Sequence, residues 1–468
     1  MATTRSKKFD DKQDILIIGA GIAGLAAAVE AARAGVKVTV VDKLGPMHEI
    51  PRGQVSQTGG ECNDTTRAGG GGLNRFVSQG PVEELLQRHA ELGWGRVSLD
   101  LLRTYFERVD KDCRWLRDDL KMPFEGRRVK GGGSGICPFF YKVCEQMGVG
   151  LFFRTKALKL LTKDSKITGV RVTNSQGEAD FKARAVILAT GGFQGNHEMM
   201  IKYVGPEITY LPLLTGSPQN TGDGHRMAQE LGAQLTNLTV CHIRTTDKFL
   251  GTGPSRHMLN LYPLGIYVNR NGQRFVDEGV ADSDTIANAI VYQPGSEAAL
   301  IFDEKARAKY YQEFDSYPRV REVVQAAQTL EELARKINVS PDRLKEVIGE
   351  FNSQVKDGKA LHLTVPKTAS AVAIDKPPYY AFHPVWPGLN HPLGGLKINT
   401  EAGVLNLENQ PIAGLYAAGS IVNWSFGKPY DIGGVRSFKG SYHAGGTCGL
   451  AVALTFGRIA GQHAARTI

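Results

Sequence analysis

DILIIGAGIAGLAAAVEAARAGVKVTVVDK, residues 14–43, is the stretch that decides the fold. The apolar, β-branched run Ile15–Ile18 predicts a buried strand that stops at Gly19. An alanine-rich segment follows, and the run VTVV just before Asp42 predicts a second buried strand. Strand, glycine turn, helix and strand together predict a βαβ unit and therefore a parallel sheet in an α/β protein.

The glycines of this unit form a GxGxxG pattern, and each has a separate role. Gly19 permits the tight turn, Gly21 lets the backbone approach a pyrophosphate, and Gly24 lets the helix pack closely on the strand. The free N–H groups and the dipole at the helix N-terminus favour the phosphates. Asp42, at the end of the second strand, is placed to accept a hydrogen bond from a ribose hydroxyl. This arrangement predicts a dinucleotide site for a cofactor without a 2′-phosphate.

The composition favours a two-domain protein of a reducing compartment. The chain has 468 residues, of which 42% are hydrophobic, so it is long enough for two cores. Its six cysteines are scattered without a CxxC or CxxCH pattern, which argues against a structural zinc site, a c-type haem and a disulfide framework. We therefore expect a cytoplasmic protein without a metal site.

The net charge of +9 is spread along the chain without a basic motif, so we do not expect a nucleic-acid partner. A mild positive field favours a small anionic substrate instead. The first residues, MATTRSKKFDDKQD, lack the apolar core of a signal peptide, and no run of about 18 apolar residues follows anywhere. We expect neither a leader peptide nor a membrane span.

Beyond the βαβ unit, the sequence predicts a polar loop and then alternating helices and strands. Gly53–Gly72 is too polar for a core element, and its many N–H groups suit a loop over a polar ligand, with a plain surface loop as the alternative. Helical spacing runs through Pro81–Leu120, and Gly131–Gly135 opens another helix. Strands are predicted over Leu151–Phe153, Ile167–Thr173 and Ala185–Ala189.

Six separated motifs cover nearly the whole chain. They are the GxGxxG, VILATGG ending at Gly192, Thr221–Gly224, IYVNRNGQRFVDE (Ile266–Glu278), HPLGG (His391–Gly395), and GLYAAGS with FGRIAG (Gly414–Ser420 and Phe456–Gly461). In this order they resemble the flavoprotein family of fumarate reductase, succinate dehydrogenase and 3-ketosteroid dehydrogenase. Around VNRNGQRFVDEG and PPYYAF the chain is most similar to the tricarballylate dehydrogenase branch.

The resemblance implies FAD, a Rossmann-like doubly wound FAD-binding domain, and an α+β cap domain inserted into it. We place the two parts of the FAD-binding domain at 1–237 and 384–468 and the cap or substrate domain at 238–383.

Helix signals support an independent insert. Thr329 with Glu332 makes a capping box, and Ser340-Pro341 begins another helix. After the insert, Gly445–Ala465 predicts a final helix whose N-terminus suits part of the flavin.

The motifs and glycine-rich segments together indicate the cofactor contacts. We predict them at Gly19, Gly21, Ala23, Gly24, Asp42, Lys43, Gly60, Gly71, Gly72, Ala157, Ala189, Thr190, Gly191, Asp223, Gly419, Ser420 and Gly446. No histidine occurs between His48 and His89, the region where succinate dehydrogenases attach their flavin covalently. We therefore expect the FAD to be bound non-covalently.

In this family a hydride passes between flavin N5 and a carbon next to a carbonyl or carboxylate, while a protein group moves a proton at the neighbouring carbon. His391 matches the substrate-binding histidine of the fumarate reductases. His242 matches the histidine of their HPT motif, although this chain has His242-Ile243-Arg244 at that place. A purely structural role is the alternative for either histidine.

The proton-carrying position departs from the better-known branches. Fumarate reductases have an arginine there, a few residues after RF-x-x-E, and ketosteroid dehydrogenases have a tyrosine. This chain has GVADSDT, with Asp282 nearest the position and Asp284 two residues further on. A desolvated aspartate beside a flavin could act as the base. Solvated loop residues or a helix N-cap are the alternative.

Tyr442-His443-Ala444-Gly445-Gly446 resembles the YPGPG motif with which ketosteroid dehydrogenases hold a carbonyl oxygen. The matching donors are the Tyr442 hydroxyl and the Gly446 N–H, and two such donors form an oxyanion hole. Because the prolines of that motif are absent, packing of Tyr442 is the alternative.

We predict an FAD-dependent CH–CH oxidoreductase that desaturates, or reduces, a bond beside a carbonyl or carboxylate. The catalytic candidates are Asp282, Tyr442, His391 and Gly446. An anionic compound or a cyclic ketone is the expected substrate, and a separate carrier or protein supplies or removes electrons. The alternatives are a fumarate-type enoate reductase, a ketosteroid dehydrogenase, or a flavin-binding subunit without its own catalysis.

Overall fold

The computed structural model describes residues 12–46, 81–93, 98–125, 128–130, 135–214, 217–239, 241–247, 262–280, 283–309, 320–422 and 449–468. Its strands, in chain order, are β1 (Lys12–Ile18), β2 (Val38–Val41), β3 (Phe124–Glu125), β4 (Arg128–Val129), β5 (Gly150–Phe152), β6 (Lys156–Lys163), β7 (Lys166–Asn174), β8 (Gly177–Leu188), β9 (Leu235–Thr236), β10 (Cys241–Thr246), β11 (Ile266–Asn269), β12 (Ala298–Asp303), β13 (Val324–Ala327), β14 (Tyr379–Pro392), β15 (Gly395–Leu396), β16 (Gly403–Leu405) and β17 (Pro411–Ala417).

The helices of the described residues are α1 (Ile22–Arg33), α2 (Val82–Gly93), α3 (Leu99–Arg114), α4 (Ile136–Gln146), α5 (His197–Tyr203), α6 (Pro206–Thr209), α7 (Asp223–Gln229), α8 (Ser283–Val291), α9 (Glu304–Lys309), α10 (Val320–Val323), α11 (Leu330–Lys336), α12 (Pro341–Gln354) and α13 (Gly449–Thr467). A π-helical turn, Trp115–Asp119, continues α3. Among the described helices, none combines the length and the hydropathy of a transmembrane span.

The main sheet confirms the predicted α/β fold. Strands β17, β8, β1, β2 and β5 lie in this order and pair in parallel. The predicted βαβ unit is β1, α1 and β2, with Ile15–Ile18 in register with Val38–Val41. Strands buried on both faces read as continuous apolar runs because helices cover both sides of a parallel sheet.

Helix α1 is the best-buried helix of this sheet, with residues 22–31 all buried. Helix α13 packs along it through Gly457 and Gly461, which are spaced by one turn. A Cβ atom on either glycine would lie 2.3 Å from a carbonyl oxygen of α1, that of Ala23 or Ala27. The predicted final helix is therefore confirmed from residue 449 onward, and it lies on the first helix of the chain.

A second, antiparallel sheet contains β10, β14, β12 and β11 in this order, and β13 pairs with β14. Helices α11 and α12 pack against this sheet through Leu333, Leu344 and Phe351. The predicted N-cap of α11 is present, because Thr329 Oγ1 accepts from the Glu332 N–H at 3.2 Å. The Glu332 carboxylate accepts from the Gln328 N–H instead of closing a box with Thr329. The domain limits at 237/238 and 383/384 stay a prediction, and β14 runs across the second of them.

A buried cluster of charges joins α1, α3 and α13. The guanidinium of Arg458 donates to Glu30 Oε1 at 2.9 Å and to Asp112 Oδ1, and it lies 4.2 Å from the ring centroid of Trp115. Gln462 donates to the other oxygen of Glu30 at 2.7 Å, so each buried carboxylate has partners. Removing one member of such a cluster leaves an uncompensated buried charge.

We expect Arg458→Met to destabilise the protein by about 3–5 kcal/mol, because Glu30 and Asp112 then lose their counter-ion while buried. Methionine keeps the aliphatic stem over Trp115. The control Arg343→Met removes an exposed pair with Glu346 on α12 and should change stability little. Urea unfolding of both variants measures the difference. Equal effects of the two substitutions would contradict the structural role of this cluster.

Candidate functional site

The β1–α1 turn has the close contacts that its glycines predict. Gly19 has a φ of 111°, and a Cβ there would lie 2.2 Å from the Ala189 carbonyl oxygen. A Cβ on Gly24 would lie 2.0 Å from the Gly19 carbonyl oxygen. Only glycine fits either position, because both Cβ contacts would be with backbone atoms that cannot move away cheaply.

Gly21 differs from the other two glycines of the pattern. A Cβ built on it meets none of the described residues within 4 Å, so the described part of the chain leaves open space in front of this residue. Gly21 is the N-cap of α1, where no side chain caps the helix and no acidic residue occupies the first turn. Free N–H groups facing open space at a helix N-terminus are suited to a pyrophosphate, so this cradle fits the predicted dinucleotide.

Asp42 connects the glycine turn to the end of β2. Its carboxylate accepts from the Ala20 N–H at 2.7 Å and from the Leu44 N–H at 2.8 Å, one bond to each oxygen. Burial raises the pKa of this carboxyl, against the opposing effects of the two N–H donors and Lys43. Each carboxylate oxygen can accept a further hydrogen bond, which leaves room for a ribose hydroxyl. The ribose contact at Asp42 stays a prediction.

Lys43 and Asp223 form an ion pair of 2.7 Å beside this turn. Lys43 also donates to Thr221 Oγ1 at 2.8 Å, so the predicted contacts Lys43 and Asp223 come together across a long stretch of chain. Burial is the largest single influence and would raise the pKa of Asp223, but Lys43, the Thr221 hydroxyl and the charge of Lys156 together lower it below its ordinary value. Asp223 begins α7 directly after Gly222, whose φ is 72°.

Three further predicted segments reach the same edge of the sheet. Ala189–Gly191 follows β8, and Gly419 with Ser420 follows β17. Gly419 has a φ of 84°, and a Cβ there would lie 3.0 Å from that of Ala23. Ala157 is the second residue of β6 and lies two residues after Thr155, whose N–H donates to the Asp42 carbonyl at 2.8 Å. The carboxyl ends of β1, β2, β8 and β17 therefore form one crevice, where open α/β sheets bind their ligands.

Two buried oxygen atoms of this crevice lack a hydrogen-bond partner within the described part of the chain. They are Thr190 Oγ1 and Gln194 Oε1. Buried polar atoms of this kind usually have a partner in the functional state. Thr190 is among the predicted cofactor contacts, whereas Gln194 gave no signal in the sequence because a lone glutamine after a glycine pair has no diagnostic spacing.

Several predicted residues lie outside the described residues, and their roles stay predictions. They are Gly60, Gly71, Gly72, Asp282, Tyr442 and Gly446. Asp284 lies in the first turn of α8.

The RF-x-x-E motif forms a buried ion pair in the second sheet region. Arg274 donates to Glu278 at 2.7 Å, and the side chains of both residues are almost completely buried. Glu278 also accepts from the Tyr267 N–H of β11 at 2.8 Å, and Arg274 donates to the Val365 carbonyl at 2.6 Å. This pair therefore fixes the backbone that leads toward the Asp282 position.

His242 and His391 lie opposite each other on β10 and β14. Their rings are 5.4 Å apart between centroids and nearly perpendicular. A bulge follows this pair, because His242 faces His391 whereas the next residue, Ile243, faces Leu389. Asn390 is the extra residue, and its Nδ2 lies 3.2 Å from the His242 ring nitrogens. The bulge turns Asn390 toward the histidines, a re-aiming of side chains that is frequent beside active sites.

Gly394 and Gly395, which follow His391 by three and four residues, make close backbone contacts with the segments that follow β9 and β17. A Cβ on Gly395 would lie 2.2 Å from the Ile421 carbonyl oxygen, directly after Gly419 and Ser420, and one on Gly394 would lie 2.2 Å from the Asn237 carbonyl oxygen. The Leu396 N–H donates to the Ile421 carbonyl at 2.9 Å. The end of β14 therefore joins the loop of predicted cofactor contacts through backbone contact.

His225 is a buried polar residue that the sequence gave no reason to select. It lies in α7, fully buried, with its ring edge-on to Phe193 at 5.5 Å between centroids. Neither ring nitrogen makes a hydrogen bond of normal geometry within the described residues. Burial lowers the pKa of His225 to about 4, although the Ile421 carbonyl and the Asp223 carboxylate act in the opposite direction. This imidazole is therefore neutral at neutral pH.

A doubly wound sheet, a glycine cradle at the N-terminus of α1 and a histidine pair on a second, antiparallel sheet are typical of a dinucleotide-dependent oxidoreductase. The comparison with protein families is in agreement. Residues 125–436 match the FAD binding domain family and residues 14–192 match the FAD dependent oxidoreductase family. The chain belongs to the FAD binding domain family, and its cofactor is FAD. The predicted flavoprotein family is thereby confirmed.

Similar proteins span nearly the whole chain. A probable fumarate reductase of Shewanella frigidimarina is 29% identical over 97% of this chain and 74% of its own length. A urocanate reductase of Eggerthella lenta is 30% identical over 97% of this chain and 74% of its own length. The solved structure of a 3-ketosteroid-Δ4-(5α)-dehydrogenase from Rhodococcus jostii superposes with a TM-score of 0.70 over 99% of both chains, and at 23% identity this likeness concerns the fold. The narrower resemblance to tricarballylate dehydrogenase stays a prediction.

We expect Gly21→Val to abolish FAD binding without unfolding the protein. The added side chain enters the open space of the cradle and meets no protein atom near its Cβ. Gly349→Val in α12 is the matched control, because a Cβ there also meets nothing within 4 Å but lies far from the crevice in the chain. Flavin absorbance per protein, together with far-UV circular dichroism, measures both effects. Retention of FAD by the Gly21 variant would argue against this cradle.

His225 should make stability depend on pH. Its folded-state pKa of about 4 is below the ordinary histidine pKa of 6.5, so between these values the unfolded chain binds a proton that the folded chain does not. Stability should therefore fall as the pH drops through this window, by up to about 3 kcal/mol from this residue. His225→Leu should remove that part of the slope, whereas His362→Leu, at an exposed position, should preserve it. Urea midpoints across the window measure both, and matching slopes would refute the assignment.

Proposed function

We propose that this flavoprotein transfers hydrogen to or from a carbon–carbon bond next to a carboxylate or carbonyl group. The observation that supports the proposal is the His242–His391 pair, which lies on β10 and β14 shortly before Gly395, whose backbone contacts Ile421 after β17. Both imidazoles can donate hydrogen bonds to an oxygen atom of the substrate. The two relatives described above are named as reductases of unsaturated compounds, which makes reduction of an enoate the first direction to assay.

The chain's own residues then orient the substrate and move one proton. His391 and His242 bind the carboxylate or carbonyl oxygen and stabilise the negative charge that develops there, and Asn390 fixes the orientation of the His242 ring. Bound FAD supplies hydride transfer at N5. In the direction of reduction, one carbon receives the hydride and its neighbour receives a proton, for which we propose Asp282. Tyr442 and Gly446 would add two donors to the same oxygen atom.

The proposal also concerns the electron carrier, the location of the protein and the role of the second sheet. The two electrons come from, or go to, a separate carrier that exchanges them with the flavin. We infer a cytoplasmic location from the buried thiols of Cys113, Cys144 and Cys241, which form no disulfide among the described residues. We also propose that the second sheet with α11 and α12 forms a cap over the substrate, with limits near residues 238 and 383.

The FAD should be bound without a covalent link, because no histidine lies between His48 and His89. Acid precipitation should then release all of the flavin into the supernatant. Flavin that stays with the protein pellet would contradict this part of the proposal.

Anaerobic flavin spectra test the function in both directions. The dithionite-reduced enzyme, freed of excess reductant, should regain oxidised flavin absorbance on addition of its unsaturated substrate, and the oxidised enzyme should bleach with the saturated one. The panel comprises fumarate, acrylate, urocanate, 4-androstene-3,17-dione, cyclohexenone and their saturated counterparts. No spectral change with any of these classes would argue for a flavin-binding subunit without its own catalysis.

Asp282→Asn should keep FAD but slow the substrate-dependent spectral change by about 100-fold or more, because asparagine retains the size of the side chain and cannot transfer the proton. Asp284→Asn is the matched control two residues away and should react at the parent rate. A slow Asp284 variant beside a normal Asp282 variant would move the role to Asp284. Normal rates in both would exclude a carboxylate from this step.

A further inference from the structure

Arg244 lies on the histidine strand of the candidate site. It follows His242 by two residues on β10, so both side chains point to the same face of the sheet, about 7 Å apart at their origins. The residue is half-buried, and its Nε atom is buried. A guanidinium keeps its positive charge throughout the physiological pH range. The face that carries His242 and His391 therefore also carries a permanent cation.

Two described neighbours of Arg244 on this face, Gly388 and Leu214, present no polar side chain. Its partner across the ladder is Gly388 of β14, which has no side chain. The side chain of Leu214 occupies the position where a Gly388 side chain would lie, since a Cβ there would be 2.5 Å from Leu214 Cγ. Beside an apolar wall, a charge-assisted hydrogen bond to a carboxylate is stronger than the same bond in water.

The opposite face of β10 packs into the hydrophobic interior. Cys241 and Ile243 point into a hydrophobic cluster with Ala287, Val291 and Leu389. The strand therefore alternates between a packing face and a face that bears His242 and Arg244. A residue needed only for the stability of β10 would be expected on the packing face.

We propose that Arg244 is a specificity-determining residue that binds a carboxylate of the substrate, so that this enzyme acts on unsaturated or saturated carboxylic acids and not on neutral ketones. The inference rests on the proposed function and narrows its substrate class. His242 and His391 bind the oxygen next to the reacting bond. Arg244, the next residue of β10 on the same face, binds a carboxylate. An acid with two acidic groups along its carbon chain can contact both the histidine pair and Arg244, so it fits this face better than a monoacid.

The experiment compares Arg244→Gln and Arg244→Lys with the parent enzyme as FAD-loaded, full-length protein. Two ligand series are used: carboxylates (fumarate, urocanate and the unreactive malonate) and neutral enones (cyclohexenone and 4-androstene-3,17-dione). KM follows from turnover with reduced methyl viologen, and the dissociation constant of malonate follows from the shift of the flavin absorbance band. Arg343→Gln on α12 is the control for loss of an arginine elsewhere.

Arg244→Gln should raise KM for the carboxylate that is turned over, and the dissociation constant of malonate, by about 10- to 100-fold. The lysine variant should recover part of this loss, because it keeps the charge without the planar fork. Flavin content, the flavin spectrum and the values of the Arg343 variant should equal those of the parent.

Three results would overturn the inference. Turnover of neutral enones alone would contradict the substrate class while leaving the CH–CH chemistry intact. An equal loss with both ligand series would make Arg244 a structural residue. Malonate binding that does not depend on residue 244 would contradict the anchor directly, and this measurement still decides the matter if none of the compounds is turned over and the proposed function itself fails.

Discussion

Close backbone contact around α1 is the constraint on which the rest of the structure depends. Gly24 lets the helix begin against the carbonyl of the turn before it, and Gly457 and Gly461 let α13 lie against the carbonyl oxygens of Ala23 and Ala27. At Gly24, Gly457 and Gly461 the backbone of α1 is in direct contact with other backbone segments on two sides. The helix therefore cannot slide along the sheet without collision. Its N-terminus therefore faces the crevice in one position, which is what recognition of a pyrophosphate requires.

Each of the two sheet regions contains an arginine that is paired with buried carboxylates. Arg458 joins α13 to α1 and α3, and Arg274 joins the RF-x-x-E segment to β11, each through carboxylates that are almost fully buried. Such pairs contribute little net stability over apolar packing, but they penalise any arrangement that separates the partners. In both sheets the arginine belongs to a family motif, FGRIAG for Arg458 and RF-x-x-E for Arg274, so these motifs are explained in part by internal geometry and not only by contact with ligands.

The sequence predicted the features that depend on local pattern. The βαβ unit, the first strands of the parallel sheet, the N-cap of α11 and the helix from Pro341 all follow from spacing within a few residues. It did not predict that β14 continues through Pro384 and Pro387, since prolines normally interrupt a strand. β14 tolerates them because its pairing passes from β12 and β13 to β10 in this region. The Asn390 bulge and the burial of His225 also escaped detection, because both depend on contacts between distant parts of the chain.

The contact of α13 with α1 has a consequence for synthesis on the ribosome. β1 and α1 emerge early, whereas their partners β17 and α13 emerge only after the segment that forms the second sheet. During that interval the face of α1 that later packs on α13 and the β8 edge that later pairs with β17 have no native cover. A translation product that stops before β17 would expose both, and exposed strand edges and apolar helices promote aggregation. The order of the elements along the chain therefore leaves the nascent chain exposed to aggregation until translation of α13 is complete.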